Sequence, residues 1–255
     1  MLKRQMLTFF ASIMFFSRMP VLFRLQITDV HFKQSMRYLP WVGLIVSLAG
    51  AIVMYYSARI LPYSMAVLLG ILVTILLTGG LHEDGLADVC DGFGGGYTKQ
   101  RILDIMKDSH IGTYGVIGLI LAFLFRFGAL SEMPRYFMAL FFVAGHVISR
   151  FTLVTIMYRY PYARNDETSK ARIVIGQYSL VDVVIASVPV VFIYWVIGSW
   201  AALLTLIPVW LTKWLMGLYF NKKIGGYTGD CMGAMQQATE IVFYLSILVW
   251  LKFTW

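Results

Sequence analysis

Residues 63–91 read YSMAVLLGILVTILLTGGLHEDGLADVCD, and the change in character along this stretch decides the fold class. Positions 63–81 hold no charged side chain. About 20 such residues, wound as a helix, cross the roughly 30 Å hydrocarbon core of a bilayer. Directly after them come Glu83, Asp84, Asp88 and Asp91. A span that ends in a crowd of carboxylates predicts a helix crossing a membrane and delivering a polar site to one surface.

The same reading applies along the chain. Spans are predicted at roughly 39–60, 63–81, 112–131, 135–158, 182–199, 200–220 and 236–254. The fold expected is all-α, a polytopic integral membrane bundle of about seven transmembrane helices. The apolar run Met6 to Phe16 is too short to cross, so segment 1–38 is read as interfacial. It does not read as a cleaved leader, because Ser17, Arg18, Met19 and Pro20 lack a small-x-small pattern. Composition agrees: hydrophobic residues make up 59% of 255 positions and charged residues 13%, far from a soluble domain. Residues 1–255 form one membrane-embedded domain without visible repeats.

Cys90 and Cys231 are too few and too far apart for a disulfide framework. The net charge of +8 reflects topology rather than nucleic-acid binding. Lys3, Arg4, Arg18, Arg24, Lys33, Arg37, Lys99, Arg101, Lys107, Arg159, Arg164, Lys170, Arg172, Lys222 and Lys223 fall on one side. Arg59, Arg135 and Lys252 fall on the other. The positive-inside rule then puts the N-terminus and the connections 82–111, 159–181 and 221–235 in the cytoplasm.

Within 82–111 the acidic density demands a cause. At about 100° per residue, Asp84, Asp88 and Asp91 project near 0°, 40° and −20°, one stripe of a helix, while Glu83 points elsewhere. Like charges at this spacing repel, and a divalent cation relieves them. All-oxygen ligands favour a hard ion such as Mg²⁺, Mn²⁺ or Ca²⁺. The plainer alternative is a solvated acidic turn. Gly92, Gly94, Gly95 and Gly96 then end the helix and allow backbone to approach a ligand, and Lys107 is placed either to hold a phosphate or to anchor at headgroups.

A second glycine-rich turn, Gly225, Gly226, Tyr227, Thr228, Gly229 and Asp230, opens the last helix behind Lys222 and Lys223. Asp230 fits either an N-cap or a ligand position, and such a helix start suits an anion. Arg126, His146, Arg150, Lys213 and Glu240 interrupt apolar spans, where ionisable groups mark a polar interior. Arg150 is placed to reach a diphosphate; Lys213 and Arg126 also fit snorkelling. His82 reads as a hydrogen-bonding neighbour of the acidic cluster.

TGGLHEDGLADVCDGF at 78–93, IMKDSHIGTYG at 105–115 and KKIGGYTGDCMGA at 222–234 together resemble the cobalamin synthase family, the adenosylcobinamide-GDP ribazoletransferases. FFSRMPV at 15–21, LPWVGLIV at 39–46, SRF at 149–151 and YARNDE at 162–167 extend the resemblance over nearly the whole chain. Two positions depart: Glu83 stands where an apolar residue is expected, and His110 where arginine is expected.

The resemblance implies a membrane phosphotransferase of cobalamin biosynthesis. Its members join adenosylcobinamide-GDP to α-ribazole or α-ribazole 5′-phosphate and release GMP, with Mg²⁺ required. It implies Asp84, Asp88 and Asp91 as metal ligands, and Asp84, Asp91 and Asp108 as catalytic carboxylates, with Asp91 the chosen base. Lys107, Arg150, His82, Gly226, Thr228, Gly229 and Asp230 become substrate contacts. The expected location is the cell inner membrane with the active-site loops cytoplasmic, in association with the bilayer, without nucleic acid, and with room for other cobalamin-assembly enzymes or a second copy as partners. A transporter of divalent cations or corrinoids is the rival, disfavoured because transporters place coupling residues at mid-membrane in repeated halves. A noncatalytic scaffold leaves the aspartates unexplained.

Overall fold

A computed structural model describes residues 2–21, 25–164 and 178–254. Arg24, Lys170, Arg172 and the last part of the YARNDE motif, 165–167, lie outside the described residues. Eleven helices follow in order: α1 Leu2–Phe16, α2 Asp29–Lys33, α3 Leu39–Ser57, α4 Tyr63–Thr78, α5 Leu81–Gly95, α6 Lys99–Ile105, α7 Thr113–Ser131, α8 Arg135–Arg159, α9 Leu180–Ile197, α10 Leu206–Ile224 and α11 Gly229–Thr254. Among the described residues, six helices are long and apolar enough to cross a membrane, and the broken pair of α4 and α5 makes up to seven. The expected count of about seven thus corresponds to six or seven spans.

The centre of the bundle is α8, with α3, α9 and α11 around it. Buried residues occupy 78% of its most apolar window, against 22% for the span containing α10. Phe141, Phe142, Phe243 and Tyr244 are fully enclosed. Between helices in lipid, close packing rather than escape from water supplies the attraction, so small residues sit at the contacts. Gly50 meets α4 so closely that a Cβ there would lie 2.8 Å from the Gly70 carbonyl oxygen. Leu124, Trp195, Leu211 and Trp214 stay exposed on α7, α9 and α10, an outer surface made for acyl chains.

The 15-residue α1 is below crossing length, and it buries Leu7, Ala11 and Phe16. Tyr38 ties it to the start of α3, donating to Gln5 Oε1 at 2.9 Å.

Two connections and one span differ from expectation. Residues 82–111 are mostly helix, α5 and α6, and 221–235 shrinks to a short turn because α11 begins at Gly229 rather than near 236. The second span stops at Thr78, where Gly79 (φ 70°) and Gly80 (φ 73°) enter the left-handed region that other residues avoid. The axis then turns by 87°. Helix α5 thus runs nearly perpendicular to α4, outside the six long apolar helices. Arg18 folds over the turn: a Cβ on Gly79 would sit 2.2 Å from its Nε.

Candidate active site

Helix α5 is fastened on one side by glycine. A Cβ on Gly85 would lie 2.8 Å from the Asp230 carbonyl oxygen, and one on Gly233 would lie 2.9 Å from the His82 carbonyl oxygen. Backbone thus meets backbone between α5 and α11. With that edge fixed, Asp84 and Asp88, one turn apart, face a cavity of about 860 Å³ whose wall also includes Arg18, Glu83, Lys107, Asp108 and His110. That size suits a substrate pocket. The Asp88 carboxyl is pushed up to about 7 by its partial burial first and then by the charges of Asp230 and Asp84.

Asp91 takes a different place. Its Oδ2 accepts the Gly112 amide at 2.7 Å and its Oδ1 accepts the Gly115 amide at 2.9 Å. The carboxylate caps the N-terminus of α7, where a negative group is favoured. Among the described residues, no three His, Cys, Asp or Glu side chains gather as they would to enclose an ion. The expected three-aspartate set is therefore reduced to Asp84 and Asp88 on the cavity wall, with Asp91 drawn off by the amides of a neighbouring helix. Its choice as base is corrected for the same reason, since both oxygens are already engaged.

Asp108 is in the wall and is bonded to His110: the Nδ1 to Oδ1 distance is 2.6 Å, and the His110 amide donates to the same oxygen at 3.0 Å. These bonds hold the Asp108 carboxyl below the usual carboxylate range. Lys107 lines the same space.

The glycine turn does not line the cavity, although the Asp230 carboxyl lies near enough to Asp84 and Asp88 for their charges to act on one another. Thr228 Oγ1 accepts the Cys231 amide at 3.2 Å, so Thr228 caps α11, and Asp230, weighed as the cap, sits inside the first turn. Tyr227 donates its amide to Pro161 O at 3.1 Å, and Ala163 donates to Tyr227 O at 2.8 Å. This pairing, which runs past Gly226 and ahead of Gly229, brings Arg164 to Asp230 Oδ2 at 2.8 Å.

Arg150 and His82 are not in the cavity wall either. Arg150 is 2% exposed, donates to His146 Nδ1 at 2.9 Å and packs on Gly43 of α3. The expected reach to a diphosphate is not made, because its depth in α8 commits it to the interior. There it joins a polar network. Glu240 lies 3.5 Å from Arg126, 3.4 Å from His146 and 3.9 Å from Arg150. Glu83 accepts from Gln237 at 3.0 Å and pairs with Arg126 at 3.5 Å, and Arg126 also donates to Gln237. Two guanidinium cations thus meet two carboxylates, which is what burial of charge requires. Lys213 instead stands 5.0 Å over the Trp210 ring, which agrees with snorkelling.

Arg18, Arg164, Gln236 and Gln237 were not singled out as site residues. Arg18 and Arg164 fall inside FFSRMPV and YARNDE, and an arginine beside a short apolar run was the available signal. The glutamines carry no charge, and only their position one helical turn from Glu240 marks them.

The cobalamin-5-phosphate synthase family model matches residues 8–248. The adenosylcobinamide-GDP ribazoletransferase of Shewanella frigidimarina (strain NCIMB 400) is 40% identical over 248 residues, covering 96% of this chain and 95% of the relative. The enzyme of the same name from Leptospira interrogans serogroup Icterohaemorrhagiae serovar copenhageni is 38% identical over 250 residues, covering 94% of each. No solved structure matches the chain.

Proposed function

The chain belongs to the cobalamin-5-phosphate synthase family, and on that premise we propose that it joins adenosylcobinamide-GDP to α-ribazole or its 5′-phosphate and releases GMP. The observation that carries this reading is the pairing of Asp84 and Asp88 on one wall of a cavity that also holds Arg18 and Lys107. Carboxylates and cations facing one space suit a diphosphate brought in with a metal ion.

The residues fit Mg²⁺: two oxygen-donor carboxylates one turn apart are what that ion takes from a protein when substrate phosphates and water complete its shell. Asp84 and Asp88 would hold it, and when bound it neutralises charge on the diphosphate. Arg18 and Lys107 bind the remaining phosphate oxygens and set the diphosphate's orientation. The acceptor is the 3′-hydroxyl of α-ribazole; its oxygen bonds to the phosphorus on the cobinamide side as the bond to GMP breaks. Asp108 takes the hydroxyl proton, with His110 beside it to share the proton. Asp91 positions the loop from Lys107 to Gly112 by capping α7. Arg164 and Asp230 brace α5 beside the Asp84 and Asp88 carboxyls.

The excess of Lys and Arg at the end carrying the aspartates supports a cytoplasmic face for the site and a cell inner membrane location. GMP release from adenosylcobinamide-GDP by purified protein in liposomes tests the reading, with either acceptor and with or without Mg²⁺. A transporter or a scaffold releases none.

A further inference from the structure

At the other end of α4, a helix about 24 Å long at 1.5 Å per residue, a second cavity of about 370 Å³ opens between the end of α3 and the starts of α4 and α8. Arg59 and Arg135 both line it, and no acidic side chain does. Each guanidinium is held on an aromatic ring. Arg59 lies 4.6 Å from the Tyr55 ring centre and donates to the Tyr55 hydroxyl at 2.8 Å. Arg135 lies 5.1 Å from the Tyr63 ring, which is itself tethered by a hydroxyl bond to Met133 O at 2.8 Å. Neither arginine is in an ion pair among the described residues.

The backbone adds positive potential at the same place. Both α4 and α8 begin behind a proline, Pro62 and Pro134, with no side-chain cap; the Met65 and Phe137 amides donate to the proline carbonyls, and the first two amides of each helix are left to another acceptor. Met138 supplies an apolar wall beside these groups. Cations are expected to be scarce on this side of the bundle, yet two of the three present converge here.

We propose that this cavity binds the phosphodiester headgroup of an anionic phospholipid, with the acyl chains leaving along the outer surface of the bundle. Two forked guanidinium groups and two open helix starts match a phosphate. The aromatic shelves and apolar wall match the glycerol and first methylenes at the headgroup level, where tyrosine is favoured.

Mass spectrometry of the intact protein, released from detergent with one equivalent series each of phosphatidylglycerol, phosphatidylcholine and inorganic phosphate, tests it. Wild type retains phosphatidylglycerol in preference to phosphatidylcholine, and Arg59→Gln with Arg135→Gln lowers that retention by at least roughly tenfold. GMP release by the double variant stays at the wild-type rate, because neither residue touches the aspartate cavity. If that variant does not fold, Arg59→Lys with Arg135→Lys, which keeps the charge without the fork, retains a weaker preference for the anionic lipid. Equal retention of both lipids by wild type, or unchanged retention in the Gln variant, overturns the proposal. So does displacement of the lipid by millimolar inorganic phosphate, which makes the pocket a site for soluble phosphate.

Discussion

Asp91 Oδ2 lies 2.7 Å from the Gly112 amide nitrogen, 21 residues later, so a carboxylate of α5 caps the helix that Gly112 precedes. The contact fixes the end of the loop carrying Lys107, Asp108 and His110 against the helix carrying Asp84 and Asp88. Asp91→Ala removes the cap at a cost of about 0.5–2 kcal/mol, and Asp91→Asn, which keeps one acceptor, costs less. Thermal unfolding in detergent shows a lowered midpoint for both. Turnover falls only partly in Asp91→Asn, whereas a metal ligand or base would lose it altogether.

Asp88 sets a pH dependence. Its carboxyl is raised to about 7, so it is protonated below that pH and ionised above it. Ionisation in the folded protein is disfavoured, and the stability that the protonated form contributes is lost as pH rises from the ordinary carboxylate value through about 7. Without divalent ions the unfolding temperature falls across that window, and Mg²⁺ offsets the fall. The Mg²⁺ concentration giving half-maximal GMP release rises as pH is lowered from about 8 to about 6. The Mg²⁺ offset and the pH shift of the Mg²⁺ requirement disappear in a protein whose aspartates do not share an ion.

The interior network predicts a stability effect without a direct role in the reaction. Glu240→Ala leaves the Arg126 and Arg150 guanidinium groups facing one carboxylate instead of two. Removing one member of a buried ion pair costs about 3–5 kcal/mol, and unfolding by denaturant in detergent measures it. Replacing Arg126 and Arg150 by Met together with Glu83→Gln and Glu240→Gln removes all four charges jointly and costs less than the single change.

Orientation is read from two exposed tyrosines, Tyr97 at 92% and Tyr136 at 97%. In a protein with Cys90 and Cys231 replaced by serine, a membrane-impermeant thiol reagent applied to intact cells labels Tyr136→Cys, and it labels Tyr97→Cys only after the cells are opened. The reverse pattern inverts the topology.

Most of the bundle was legible because membrane-spanning helices are set by local composition. Seven apolar runs gave six to seven spans, and Glu83, read off the aspartate stripe, turns its carboxylate to Arg126 and Gln237. The break at Gly79 and Gly80 lay in plain view, but an apolar Leu81 beyond it made the span seem continuous. Helix periodicity put Asp91 on the same stripe as Asp84 and Asp88. It carried no information about the Gly112 and Gly115 amides, which arrive from a later helix. Arg150 failed for a related reason: distance from a span end shows depth, not which neighbour fills the space, and here that neighbour is His146 of its own helix with Glu240 opposite.

The central claim is that Asp84 and Asp88 act together on a metal-bound diphosphate. GMP release is measured in proteoliposomes containing wild type, Asp84→Asn or Asp88→Asn, with and without Mg²⁺, from adenosylcobinamide-GDP and α-ribazole. Release is predicted to require Mg²⁺ in wild type and to vanish in both variants while each inserts and unfolds like wild type; wild-type release from either folded variant contradicts the account.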